Sequence, residues 1–164
     1  PGHLAHVDGL AGGGRAAVAG RGARHRVGSG GSVHGVEGLA EDTEFSAAAL
    51  DDPEGPLSVR TVYFDYDSSA VREEFRETVT AHASYLAANA SASVTLQGHA
   101  DERGTREYNL ALGEARALSV RSQLVLLGAT AEQIKTVSYG EERPVAEGHD
   151  EKSYAVNRRV EILY

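Results

Sequence analysis

Residues 98–120 read GHADERGTREYNLALGEARALSV. A strand ends at the first two residues, a polar loop follows from Gly98 to Gly104, and a long helix starts near Thr105. Backbone N–H groups at such a helix start have no partner within the helix and favour anionic groups. Asp101 places a fixed negative charge in the loop, and Arg116 sits about three turns into the helix. Asn109, Leu112 and Arg116 follow at steps of three and four, so they share a helix face. If that face borders the loop, Asp101 and Arg116 flank one small pocket. A carboxylate beside a guanidinium suits a zwitterionic amino-acid end, because Arg grips a carboxylate through two parallel hydrogen bonds. The same spacing also allows an internal Asp101–Arg116 salt bridge with no ligand.

Upstream, SVRTVYF is rich in β-branched and aromatic residues and predicts a strand. DYDSS then forms a turn that offers Asp67, Ser68 or Ser69 as a helix cap. Val71, Phe75, Val79, His82 and Leu86 recur every three or four residues, which predicts a helix of about 20 residues ending at Asn89. SVTLQGH is a second strand, with Val94 and Leu96 on one face. The next helix runs to Leu127, with Leu112, Ala115, Ser119 and Leu126 on its buried side and Gly128 as its stop. Thr130 and Gln133 form a capping-box pattern. IKTVSYG is a third strand, residues 141–156 a loop with a short helix, and RRVEILY a fourth strand in which Val160, Ile162 and Tyr164 alternate with Arg159 and Glu161. The order β-α-β-α-β-loop-β predicts an α/β (α+β) two-layer sandwich, with two main helices on one face of a small mixed sheet.

The 164 residues divide unevenly. Twelve of the 19 glycines fall in residues 1–40, which carry four Arg against Asp8 and Glu37 for a charge of +2. Residues 41–164 carry 12 basic and 22 acidic side chains, a charge of −10. That acidic part repels nucleic acid and anionic membrane surfaces. With no Cys, disulfides, thiolate metal sites and Cys nucleophiles are excluded. No apolar run approaches the roughly 18 residues that span a bilayer.

Residues 1–45 are expected to be a disordered Gly/Ala/Arg-rich tail, unable to bury enough apolar surface to offset its ordering entropy. PGHLAHVDGLAGGGRAAVAG looks like GC-rich coding read in a wrong frame. Residues 46–57 read as a linker and 58–164 as the folded domain. His3, His6, His25 and His34 show no metal-ligand spacing. Asp65 and Asp67 read as turn residues rather than an acid–base pair. His99 and Asp101 lack a third metal ligand. Ser138 lacks the G-x-S-x-G context of a hydrolase. Arg158 and Arg159 read as surface charges balancing the acidic loop or, as the second choice, as a rim contact to glycan or peptide carboxylates. No cofactor is expected.

Four segments carry a family pattern: VYFDYDSSAV, LQGHADERGTREYNLALGEARA, IKTVSYGEERPVAEGHDE and NRRVEI. Together they closely resemble the peptidoglycan-associated lipoprotein (Pal) branch of the OmpA C-terminal-like family. The resemblance covers residues 59–164, and no match is expected in residues 1–58. It implies a non-catalytic periplasmic domain that binds peptidoglycan through the meso-diaminopimelate of the stem peptide. It places Asp101 and Arg116 on the zwitterionic end of that ligand, with Asp65, Thr105, Asn109 and Leu112 around them. It further implies TolB and other Tol proteins as partners, a role in cell division, and attachment to the outer membrane by a lipidated Cys that this chain does not contain. Three readings of the N-terminal tail stay open: a sequence that starts after the anchoring region, a soluble member, or a tail that is not natural sequence, the last favoured because of its wrong-frame look. The rivals are a flagellar-stator wall anchor, an OmpA-type porin tail and, from a different class, a wall hydrolase.

Overall fold

Four strands form a mixed sheet in the order β1-β4-β2-β3. The computed structural model describes residues 47–164. Residues 1–45, including the four N-terminal histidines, lie outside the described residues. After a 3-10 turn at Ala47–Asp51 come β1 (Thr61–Tyr63), a 3-10 turn at Glu73–Phe75, α1 (Arg76–Ala88), β2 (Val94–His99) and α2 (Arg106–Leu126). A 3-10 turn at Ala131–Gln133, β3 (Ile134–Gly140), α3 (Glu151–Asn157) and β4 (Arg159–Leu163) complete the chain. β4 runs antiparallel to both β1 and β2, and β2 runs parallel to β3.

The period-2 alternation predicted for the strands sorts their side chains. Val62, Leu96, Val160 and Ile162 are fully buried and meet Val79, Ala83 and Leu86 of α1 and Ala117, Val120 and Leu124 of α2 in one core. Both long helices therefore lie on one face of the sheet, as the α/β sandwich requires. The Thr130–Gln133 capping box forms as read. Gln133 also donates through Nε2 to the carbonyls of Leu86, Asn89 and Ala92, which ties the end of α1 to the start of β3. Gly128 ends α2 at φ +122°, a conformation that favours glycine.

Several expectations need correction. The buried stripe of α2 is Asn109, Gly113, Arg116, Ala117, Val120 and Leu124, not Leu112, Ala115, Ser119 and Leu126. Leu126 is 85% exposed. The cause is a close approach of backbones: a Cβ on Gly98 would stand 1.7 Å from the Gly113 carbonyl oxygen. The helix turns its narrowest face to β2 and carries the larger apolar side chains around with it. α1 is 13 residues rather than about 20, and none of Asp67, Ser68 and Ser69 caps it. The Ser68 hydroxyl instead accepts from the Ala70 N–H, the Asp65 carbonyl closes a turn by accepting from the Ser68 N–H, and Arg116 donates to the carbonyls of Asp65 and Ser68. Within the segment read as a linker, residues 51–54 are exposed, but Leu57 is 1% exposed in the core, Ala49 and Leu50 pack partly against it, and Arg60 holds the carbonyls of Leu57 and Leu50. Arg158 and Arg159 are buried, not surface charges.

Candidate binding cavity

Where β2 ends and α2 begins, a cavity of about 220 Å3 opens. Tyr66, Asp67, Ala100, Asp101, Arg103, Gly104, Tyr108, Asn109, Leu112 and Arg116 line it. The floor follows from the strand-loop-helix unit. β2 delivers Ala100 and Asp101 at its C-terminal end, Gly104 turns the chain at φ +108°, and Thr105 caps α2 by accepting the Tyr108 N–H at 3.1 Å. The far wall is the loop after β1.

Arg116 is the largest fully buried side chain among the described residues. It makes no ion pair with Asp101 among the described residues, so the internal salt bridge that the spacing allowed is not formed. Its guanidinium donates to three backbone carbonyls: Nε to Ser68 at 2.8 Å, Nη1 to His99 at 2.9 Å and Nη2 to Asp65 at 3.1 Å. A guanidinium has five N–H donors, so two remain. Burial, followed by repulsion from Arg158, lowers its pKa to about 10, and it stays charged at neutral pH.

Asp101 is 4% exposed and heavily engaged. Oδ1 accepts from the Arg103 backbone N–H at 2.9 Å and from Nε at 3.2 Å, while Oδ2 accepts from Arg103 Nη2 at 2.8 Å and from Arg158 Nη1 at 3.5 Å. Burial works to raise its pKa, but the hydrogen bonds from Arg103 and Arg158 outweigh it and hold the carboxyl below its usual value. Arg103 is stacked between two rings, 4.1 Å from the Tyr66 centroid and 4.5 Å from the Tyr154 centroid. Arg158 reaches back to the Phe64 carbonyl at 2.9 Å and to Glu151 at 3.0 Å, tying β1, the cavity and α3 together.

Of the remaining residues singled out in the sequence, Asn109 and Leu112 line the cavity, and Asn109 is fixed by donating from Nδ2 to Glu141 at 3.2 Å. Asp65 and Thr105 are not in its lining. The Asp65 carboxylate is 70% exposed beside Arg72, and only its backbone carbonyl serves the site. Thr105 spends its hydroxyl as the helix cap. His99 turns its ring from Asp101 to the other face of the sheet, stacking on Tyr139 and lying 3.1 Å from Glu161.

Sequence reasoning missed Tyr66, Asp67, Arg103, Tyr108 and Arg158. Asp67 takes a positive φ of 51°, uncommon for a residue other than glycine, and its Oδ1 accepts from the Tyr108 hydroxyl. That bond staples the loop to α2 from outside while Arg116 holds it from within. The available signal was the DYD turn, since Asp tolerates the left-handed region better than most residues. Nothing in the linear sequence brings Arg158 to Asp101, 57 residues away.

The OmpA family matches residues 63–158, which hold every residue of the cavity. A peptidoglycan-associated lipoprotein of Pseudomonas putida is 47% identical over 136 residues, covering 83% of this chain and 81% of that protein. The chain belongs to the OmpA family, in its peptidoglycan-associated lipoprotein branch. A relative of the same description from Pseudomonas aeruginosa is 46% identical, over 82% of this chain and 80% of its own. The crystal structure of the peptidoglycan-associated lipoprotein from Burkholderia pseudomallei superimposes with a TM-score of 0.69 at 50% identity, covering 70% of this chain and 98% of that one. An aligned stretch of 136 residues is longer than 59–164, so similarity reaches into residues 1–58, contrary to the expectation from the motifs. Among the described residues, no helix is long and apolar enough to cross a membrane.

Proposed function

We propose that this domain binds peptidoglycan non-covalently, by receiving the zwitterionic end of a diaminopimelate stem peptide in the cavity of Asp101 and Arg116. The observation that carries the reading is that both charges line one cavity without pairing with each other. The lining alternates in sign: Asp67 and Asp101 against Arg103 and Arg116. A ligand bearing one ammonium and one carboxylate meets both signs at once, whereas a singly charged ligand leaves one sign unanswered.

The four acceptor sites of Asp101 are already taken, so its role is to aim Arg103 at the ligand's carboxylate. Asp67, with one oxygen bound to Tyr108, offers the other to the ammonium. Leu112 supports the aliphatic chain between the two charges. The domain acts as a wall anchor rather than an enzyme. The Pal resemblance adds TolB and other Tol proteins as partners and a lipid-anchored position at the periplasmic face of the outer membrane, where the domain tethers that membrane to the wall.

Co-sedimentation with purified sacculi tests this. The protein pellets with sacculi containing diaminopimelate, and free meso-diaminopimelate releases it. Sacculi with lysine at that position lack the second carboxylate and bind roughly tenfold or more weakly, the worth of a lost charged hydrogen bond. Asp67→Ala and Arg116→Lys, checked for folding by circular dichroism, weaken pelleting. Equal pelleting on both kinds of sacculi sinks the ligand assignment. Soluble fragments released from sacculi establish a hydrolase instead.

A further inference from the structure

The strand order leaves two edges. β1 has three residues, too few to template much. β3 has seven, Ile134–Gly140, and pairs with β2 on one side only. No described strand pairs with its other side, so every second N–H and C=O of β3 points outward. Proteins usually blunt such an edge with proline, several charges or a covering segment. β3 contains no proline and a single charge, Lys135.

A groove of about 390 Å3 runs between this edge and α2, lined by Leu110, Ala111, Glu114, Thr136, Val137 and Ser138. Its wall is fixed. A Cβ on Gly113 would stand 2.3 Å from Ser138 Oγ, and that hydroxyl donates to the Leu110 carbonyl at 2.7 Å, so α2 is pinned beside the strand. The exposed Glu114 carboxylate projects over the groove and makes no ion pair or hydrogen bond with any described residue.

We propose that the outer edge of β3 is a docking surface for an extended segment of a partner protein, which adds as a fifth strand and sets a Lys or Arg against Glu114. Backbone hydrogen bonds from the open edge supply the attachment, and the lone carboxylate supplies the preference. A second copy of this chain fits less well. Two β3 strands paired antiparallel about Val137 bring both Glu114 carboxylates toward the two-fold axis, where like charges repel. The surface is separate from the cavity, so one can fail without the other.

The test uses the 15N-labelled protein and two synthetic peptides, Ser-Thr-Val-Lys-Val-Thr-Ser and the same peptide with Glu at its centre. The Lys peptide is expected to shift β3 amide resonances and slow the exchange of the outward-pointing amides, with at least about fivefold tighter binding than the Glu peptide. Glu114→Lys, an exposed substitution, reverses the preference. The proposal is overturned if neither peptide perturbs β3, if the preference ignores Glu114→Lys, or if sedimentation velocity shows the protein dimerising through this edge.

Discussion

At the C-terminal half of α2, Val120 and Leu124 sink into a core of Leu86, Leu96 and Ile162, and nothing there needs a particular partner beyond a good fit. At the N-terminal half of the same helix, the buried residues besides Gly113 are Asn109 and Arg116, each held by hydrogen bonds to groups on other segments. The apolar half is stabilised by area removed from water, roughly additive and tolerant of repacking. The polar half is stabilised only while every donor and acceptor is matched, since each unmatched buried group costs its full desolvation. One helix thus serves as a core element at one end and as the frame of a charged cavity at the other.

Arg116→Ala tests this contrast hardest. It leaves the carbonyls of Ser68 and His99 without the guanidinium and the Asp65 carbonyl with only the Ser68 N–H, with an expected loss of about 4 kcal/mol in urea unfolding. Sacculus binding disappears with it. A loss under about 1 kcal/mol means that water replaces the guanidinium and the polar half is not held as described. Leu124→Ala, at the apolar end, is expected to cost about 3 kcal/mol through lost burial and a residual cavity. At temperatures where this variant is folded, it pellets with sacculi like the parent. Impaired pelleting of folded protein breaks the separation of the two halves.

Acid gives an effect of similar size on the other face of the sheet. His99 is 1% exposed; its Nε2 lies 3.1 Å from the Glu161 carboxylate, and its Nδ1 has no hydrogen-bond partner among the described residues. Burial, and next the charge of Arg159, push its pKa down from 6.5 to about 4. The unfolded chain therefore takes up the proton first. The stability due to neutral His99 is complete above pH 6.5 and is lost as pH falls toward 4, by about 3 kcal/mol in all. Burial lowers the pKa of His82 in the same direction. His82 is wedged between the Val59 carbonyl and the Tyr164 hydroxyl. Urea midpoints across this pH range follow the loss, and His99→Gln should flatten the profile. A profile equally steep in that variant assigns the effect to other groups.

Tyr108→Phe has the smallest effect. It removes only the outer staple to Asp67, leaving Arg116 to hold the loop. The thermal midpoint is expected to stay unchanged while sacculus binding weakens about twofold, as for other exposed polar contacts. A lowered midpoint means that the outer staple shares the work of Arg116.

The strands, both long helices, the Gly128 stop and the Thr130–Gln133 capping box were legible because each is a local pattern of period or spacing. Asp101, Asn109, Leu112 and Arg116 were legible for the same reason, since they lie on one loop and one helix face. The buried stripe of α2 was not, because a backbone contact between Gly98 and Gly113 set the helix rotation, and such contacts leave no periodic trace. Arg158 and Arg159 were misjudged because two adjacent arginines at a strand start look solvated until partners from other segments, Asp101 and Phe64 for Arg158 and Arg143 for Arg159, are in place.

By itself, the sequence determined the order of strands and helices and put an aspartate in the loop and an arginine on the helix that meet at one end of the sheet. Only the tertiary structure decided that these two charges stay apart, that Arg103 and Arg158 saturate the aspartate, and that Asp67 is the carboxylate with an oxygen to spare. Local periodicity is encoded within a few residues. Which donors are left over depends on bonds between segments as much as 94 residues apart, such as that from Arg158 to Phe64, and these exist only once the chain has closed.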